Sequence, residues 1–178
     1  LVFEGIVRLA QQFEAPPVAL KFDLGETSPS ALADENLYRT GMFHGPLLQG
    51  VKHLRRWSAC GIEADLETIS LQHYFANMNQ PTFQTDAGLL DAAGQLVGYW
   101  LTEQFGSDFN CFPFQVDSFQ QFAPMPVAGE QHRAVGSDQG VRHRGFPAFG
   151  DGRGHALRGF QTQQARLIVL DDKILGGG

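Results

Sequence analysis

Cysteine is scarce in this chain. Cys60 and Cys111 are the only two, widely separated and outside any metal-ligand spacing. A disulfide-stapled scaffold and a cysteine-built metal centre are therefore excluded, and two reduced thiols suit a cytoplasmic protein. No metal site is expected from the histidines either, since no pair of them has ligand spacing. Long apolar runs are also missing: nothing approaches the roughly 18 consecutive apolar residues of a membrane-spanning helix, and no signal-peptide pattern opens the chain. Basic charge is in deficit, with 13 Lys and Arg against 19 Asp and Glu and a net charge of −6. Bulk electrostatics thus give no reason to expect nucleic acid or an anionic membrane as partner. A starting methionine is lacking too; the chain opens on Leu1, and a piece of a longer polypeptide is expected.

What is present is a chain of 178 residues, 43% of them hydrophobic and 15 of them Phe, enough for one domain with a real core. Its clearest periodic stretch runs over 84–104. Leu90, Ala93, Val97, Trp100 and Leu101 recur there at three- and four-residue spacing, which predicts a helix with one apolar face. The opposite side carries Asp91, Gln95, Gly98 and Thr102, with Gly94 beside them. Asp91 and Gln95 are one turn apart, so their side chains can touch. Each interior glycine costs about 1 kcal/mol relative to alanine, which points to a close approach by a ligand or by other backbone. Asp86 is placed to cap the helix.

Around that helix the chain reads as short strands and loops. A strand is expected over 2–9 and a second over 18–22, then a connector over 24–35. Gly45-Pro46 predicts a turn opening a short helix through Leu47, Leu48 and Val51. A strand broken at Cys60-Gly61 follows over 54–66, residues 69–75 are ambiguous, and 77–85 form a polar loop. After the helix come a turn over 106–110, a strand pair or bent strand over 111–122, and strands over 131–135 and 155–170 flanking a Gly/Arg-rich loop near 136–159. Strands before and after one long helix make an α+β pattern.

Three segments in fixed order resemble the dehydratase domains of polyketide synthases and polyunsaturated-fatty-acid synthases. Met42-Phe43-His44-Gly45-Pro46-Leu47-Leu48-Gln49-Gly50 resembles the family's YGPxFQG segment, with His44 in place of its aromatic and Leu48 in place of its Phe. Leu89-Leu90-Asp91-Ala92-Ala93-Gly94-Gln95 resembles its LLDAxxQ segment, the DxxxQ motif. Phe112-Pro113-Phe114 resembles its LPF segment. The resemblance implies a hotdog fold, a long helix wrapped by an antiparallel sheet. It also implies that 38–178 is the second half of a double hotdog and 1–37 the end of the first.

The implied reaction removes water from a β-hydroxyacyl thioester carried on the phosphopantetheine of an acyl carrier protein, with no other cofactor. A histidine takes the α-proton while a carboxylic acid protonates the departing hydroxyl. Such an acid must keep its proton near neutral pH, and burial beside an apolar sheet favours that. By resemblance Asp91 is the acid and Gln95 its orienter, with His44 a further catalytic candidate. Gly45, Pro46, Gly50, Gly94, Gly98, Phe112, Pro113 and Phe114 are expected to have channel-lining or structural roles, with Gly45 and Gly50 serving backbone geometry and packing. The implied partners are the carrier protein, other synthase domains, and a first hotdog half or a second copy. The family's histidine motif, HxxxGxxxxP, is not found ahead of Tyr38, which leaves the source of the catalytic histidine open. Two rivals share the helix-in-sheet fold: a catalytically incomplete module that only shapes a channel, and a hotdog thioesterase. The Arg, Gly and aromatic residues of 142–160 resemble a nucleic-acid-binding tail, but Asp138 and Asp151 interrupt that composition in an acidic chain.

Overall fold

A computed structural model describes residues 4–15, 23–78, 81–106 and 119–137, together with the strand segments at 144–145, 149–150, 156–157, 160–161 and 166–171. Helix α1, Ala87–Phe105, lies on one face of a four-stranded antiparallel sheet. The strands are β1 (Val51–Ser58), β2 (Gly61–Glu67), β3 (Gln131–Ser137) and β8 (Arg166–Asp171), in the spatial order β1-β2-β3-β8. Between β3 and β8 the chain makes an excursion of two nested antiparallel pairings. Arg144–Gly145 (β4) pairs with Phe160–Gln161 (β7), and Phe149–Gly150 (β5) with Ala156–Leu157 (β6). The α+β class expected from the sequence is the class observed.

The 54–66 stretch folds as a hairpin. Ser58 pairs with Gly61 across the two residues Ala59 and Cys60, and the Ser58 hydroxyl accepts the Cys60 N–H at 3.0 Å. Val51 does not extend the short helix; that turn is a single 3-10 turn over Pro46–Leu48, and Val51 opens β1 instead. A β-branched residue fits a pleated strand better than a helix end. Of the strand expected over 2–9, residues 4–9 form none. Ile6, Val7 and Leu9 are more than four-fifths exposed, and an apolar alternation without a neighbouring strand has no ladder to join. The reading over 18–22 falls outside the described residues, as do those over 107–110 and 111–118; 119–122 is irregular rather than stranded. The ambiguous 69–75 stretch contains a 3-10 turn, Leu71–His73.

Both ends of α1 follow from local chemistry. The Asp86 carboxylate accepts the Leu89 N–H at 2.7 Å, closing the N-terminus as expected. Gly106 ends the helix with φ of +89°, a conformation that glycine adopts without strain. The buried face is rotated from the one that the spacing suggested. Leu89, Ala92, Ala93, Leu96, Tyr99, Trp100 and Leu101 are buried, whereas Leu90 is 40% exposed. Leucine stands at both 89 and 90, so an apolar arc this wide can be centred on either, and contact with the sheet decides. Ile62, Ala64 and Leu66 of β2, Val51 and Leu54 of β1 and Ala134 of β3 complete that core. The ring N–H of Trp100 donates to the Ser58 carbonyl at 2.9 Å, tying the helix to the hairpin.

The sheet's other face is ionic. Glu63 is only 6% exposed, yet it lies between Arg56 of β1 and Arg133 of β3, while Arg55 pairs with Asp65 at 2.6 Å and Lys52 with Glu67 at 3.4 Å. Cross-strand pairs of this kind add about 0.2–1 kcal/mol each. Helix on one side and charge on the other make a two-layer arrangement. Among the described residues, no helix is long and apolar enough to cross a membrane.

Candidate active site

The polar side of α1 faces the 37–50 segment. Gln95, although polar, is 5% exposed, and its amide makes three hydrogen bonds. Its Nε2 donates to the Leu48 carbonyl and to Asp91 Oδ2, both at 2.8 Å. Its Oε1 accepts from the Tyr38 hydroxyl at 2.9 Å, and that hydroxyl in turn accepts the Val51 N–H at 2.8 Å. The direction of this chain is fixed by donor and acceptor inventory. A backbone N–H can only donate, so the phenol spends its proton on Gln95, and the amide must turn its NH2 toward Leu48 and Asp91. One carboxyl oxygen of Asp91 is held in this way; the other, Oδ1, is not held by Gln95.

His44 lies on the same side. Its Nε2 is 3.7 Å from Asp91 Oδ2, and its side chain is 13% exposed. The Gly45-Pro46 turn that follows it is closed by a Leu48 N–H bond to the Gly45 carbonyl at 2.9 Å, and Gln49 Nε2 donates to the His44 carbonyl at 2.9 Å. Phe43 stacks on the imidazole with ring centroids 4.4 Å apart and is itself 75% exposed, so an apolar surface adjoins the imidazole.

The glycines divide into three uses. A Cβ at Gly50 would stand 2.6 Å from the Ala92 Cβ, so Gly50 lets the start of β1 touch the helix. A Cβ at Gly98 would run into the Met42 methyl group. Among the described residues Gly94 and Gly45 have nothing within 4 Å of such an atom; at Gly94 those residues leave open space on the helix face between Asp91 and Gly98. Pro46 is exposed and starts the 3-10 turn. Phe112, Pro113 and Phe114 lie outside the described residues.

The sequence therefore named three residues, Asp91, Gln95 and His44, that the fold brings together. It missed Tyr38 and Met42, which sit in a short irregular helical segment, Leu37–Gly41, and just after it, where no periodicity marks a side chain as inward. One expectation is corrected. Asp91 is not buried against the sheet: its side chain keeps 38% of its exposure, because the sheet takes the opposite face of α1. Among the described residues no group of His, Cys, Asp and Glu could hold a metal ion. Comparisons with family models, curated proteins and solved structures return no match.

Burial raises the Tyr38 phenol to about 12, with the Asp91 charge adding to the rise; burial likewise raises Tyr99, whose hydroxyl donates to the Leu37 carbonyl at 2.8 Å. Tyr38 thus stays a neutral donor throughout the working range. In the unfolded chain a tyrosine ionises near 10, so between pH 10 and 12 the unfolded state gives up a proton that the folded state keeps. The stabilisation is complete below about pH 10 and is lost as pH rises through 12. Alkaline unfolding followed by circular dichroism is expected to begin in that window, and Tyr38→Phe should flatten its pH dependence. A midpoint that the variant leaves unmoved would contradict the buried relay.

Proposed function

We propose that the chain catalyses removal of water from a β-hydroxyacyl thioester, the acyl group being carried on the phosphopantetheine of an acyl carrier protein, and that its helix and sheet form one hotdog half of a synthase dehydratase. The observation that carries this reading is the meeting of two sequence segments that each resemble a dehydratase motif. Gln95 of one donates to the Leu48 carbonyl of the other across 47 residues of sequence. The same junction sets Asp91 beside Gly94, where the described residues leave the helix face open, and beside His44, on which the exposed Phe43 ring stacks.

In this reading Asp91 protonates the β-hydroxyl as its bond to carbon breaks, and Gln95 holds the carboxyl so that the proton is presented at Oδ1. A general acid placed this way contributes about 10²–10⁴-fold. The partial exposure of Asp91 is removed when an acyl thioester lies over it, which places the loss of water contact in the substrate complex. The same exposure also favours a second reading, a module that only shapes a channel.

Incubation with a 3-hydroxyacyl pantetheine thioester separates these possibilities. Growth of conjugated enoyl-thioester absorbance without free thiol is expected. Thiol release would identify a thioesterase instead, and neither signal would leave the channel module. Gly94→Ala should raise stability by about 1 kcal/mol, because a helix gains an alanine and nothing is struck. If the open face is the substrate slot, that variant turns over more slowly despite its higher melting temperature. Equal turnover would move the slot elsewhere.

A further inference from the structure

We infer that His44 is the catalytic base, so that acid and base both come from this chain; the inference rests on the dehydratase reading. Buried polar atoms are nearly always hydrogen-bonded, and an exception calls for a reason. Among the described residues, His44 Nδ1 is buried with no hydrogen-bond partner, and Nε2 faces the Asp91 carboxyl at 3.7 Å. Among those residues neither ring nitrogen makes a hydrogen bond that holds the fold. The residue is nevertheless fixed in place, by the stacked Phe43 ring and by the Gln49 bond to its carbonyl. A positioned imidazole with an uncommitted nitrogen beside the proposed acid is what a proton acceptor requires.

The distance suits the chemistry. In a β-hydroxyacyl thioester the proton to be removed and the hydroxyl to be lost are on adjacent carbons, so one acid and one base standing side by side can address both. The Cα–H bond breaks and its proton passes to Nε2. The freed electron pair forms the Cα–Cβ double bond, the Cβ–O bond breaks, and the Asp91 proton leaves with the oxygen as water. What remains is an imidazolium and a carboxylate 3.7 Å apart. Loss of the Nε2 proton to water and uptake of one from water by the carboxyl restore both groups. In this reading the base lies within the chain.

The test uses the whole chain with 3-hydroxybutyryl pantetheine thioester, reading enoyl formation and folding by circular dichroism, for wild type, Asp91→Asn, His44→Gln and His44→Ala. The expected result is that both His44 variants fold and lose about 10²–10⁴-fold of the rate, and that added imidazole restores part of it to His44→Ala only. If His44→Gln keeps its rate while Asp91→Asn does not, the base is elsewhere and the dehydratase reading still stands. If wild type forms no enoyl product, both fall. Unfolding of the His44 variants would assign the ring to packing and overturn the inference.

Discussion

Asp91→Asn is expected to lower the rate of water elimination by about 10²–10⁴-fold, the range a general acid supplies, while leaving the melting temperature nearly unchanged. The carboxamide is the same size and can still accept the Gln95 N–H through its oxygen, so the packing around Leu48 and Tyr38 is kept. What it cannot do is release a proton to a departing hydroxyl. The partial exposure of the side chain makes the folding cost small, since surface substitutions usually stay within about 0.5 kcal/mol. Gln95→Leu makes a useful contrast. It removes the orienting amide and also strands the Leu48 carbonyl and the Tyr38 hydroxyl, so it should lose stability as well as rate.

Leu96→Ala is expected to destabilise the fold by about 2–5 kcal/mol, the range for a buried leucine truncated in a packed core. Leu96 has no exposed surface and stands where α1 passes over β3. Its Cβ is 3.7 Å from where a side chain at Gly136 would begin, so the helix packs directly against that strand. Total stabilities of such domains are about 5–15 kcal/mol, which makes this one of the most damaging single changes available. Leu90→Ala, one position away and 40% exposed, should cost under about 1 kcal/mol. Comparable melting temperatures for the two variants would contradict the placement of the helix face on the sheet.

That pair of leucines also marks how far the sequence could be read. The helix, its Asp86 cap and the break in the strand at Cys60-Gly61 were legible because each depends on residues within a few positions of one another. The one-residue rotation of the buried face was not, because Leu89, Leu90, Leu96 and Val97 are equally apolar and only contact with β2 and β3 chooses between them. Residues 4–9 of the expected strand form none for a related reason: alternation supplies a face, and a ladder needs a neighbour.

At the site, the i, i+4 spacing of Asp91 and Gln95 was sufficient to predict their contact, now seen at 2.8 Å. The approach of His44 depended on where the Gly45-Pro46 turn would fall. Tyr38 could not be anticipated, since its role arises from a long-range encounter with Gln95 and with the first N–H of β1. The half-exposed state of Asp91 was missed because burial of a helix face is settled by tertiary structure. In a chain whose sheet covers the other side, the carboxyl is left partly exposed.

The central claim is that the His44, Asp91 and Gln95 cluster removes water from a β-hydroxyacyl thioester. The most direct measurement is the intact mass of an acyl carrier protein loaded with a 3-hydroxyacyl group, taken before and after incubation with the purified chain. Loss of one water from the carrier-bound acyl group, absent with Asp91→Asn, is the expected result. An unchanged carrier mass, or release of the acyl group as free acid, would contradict it.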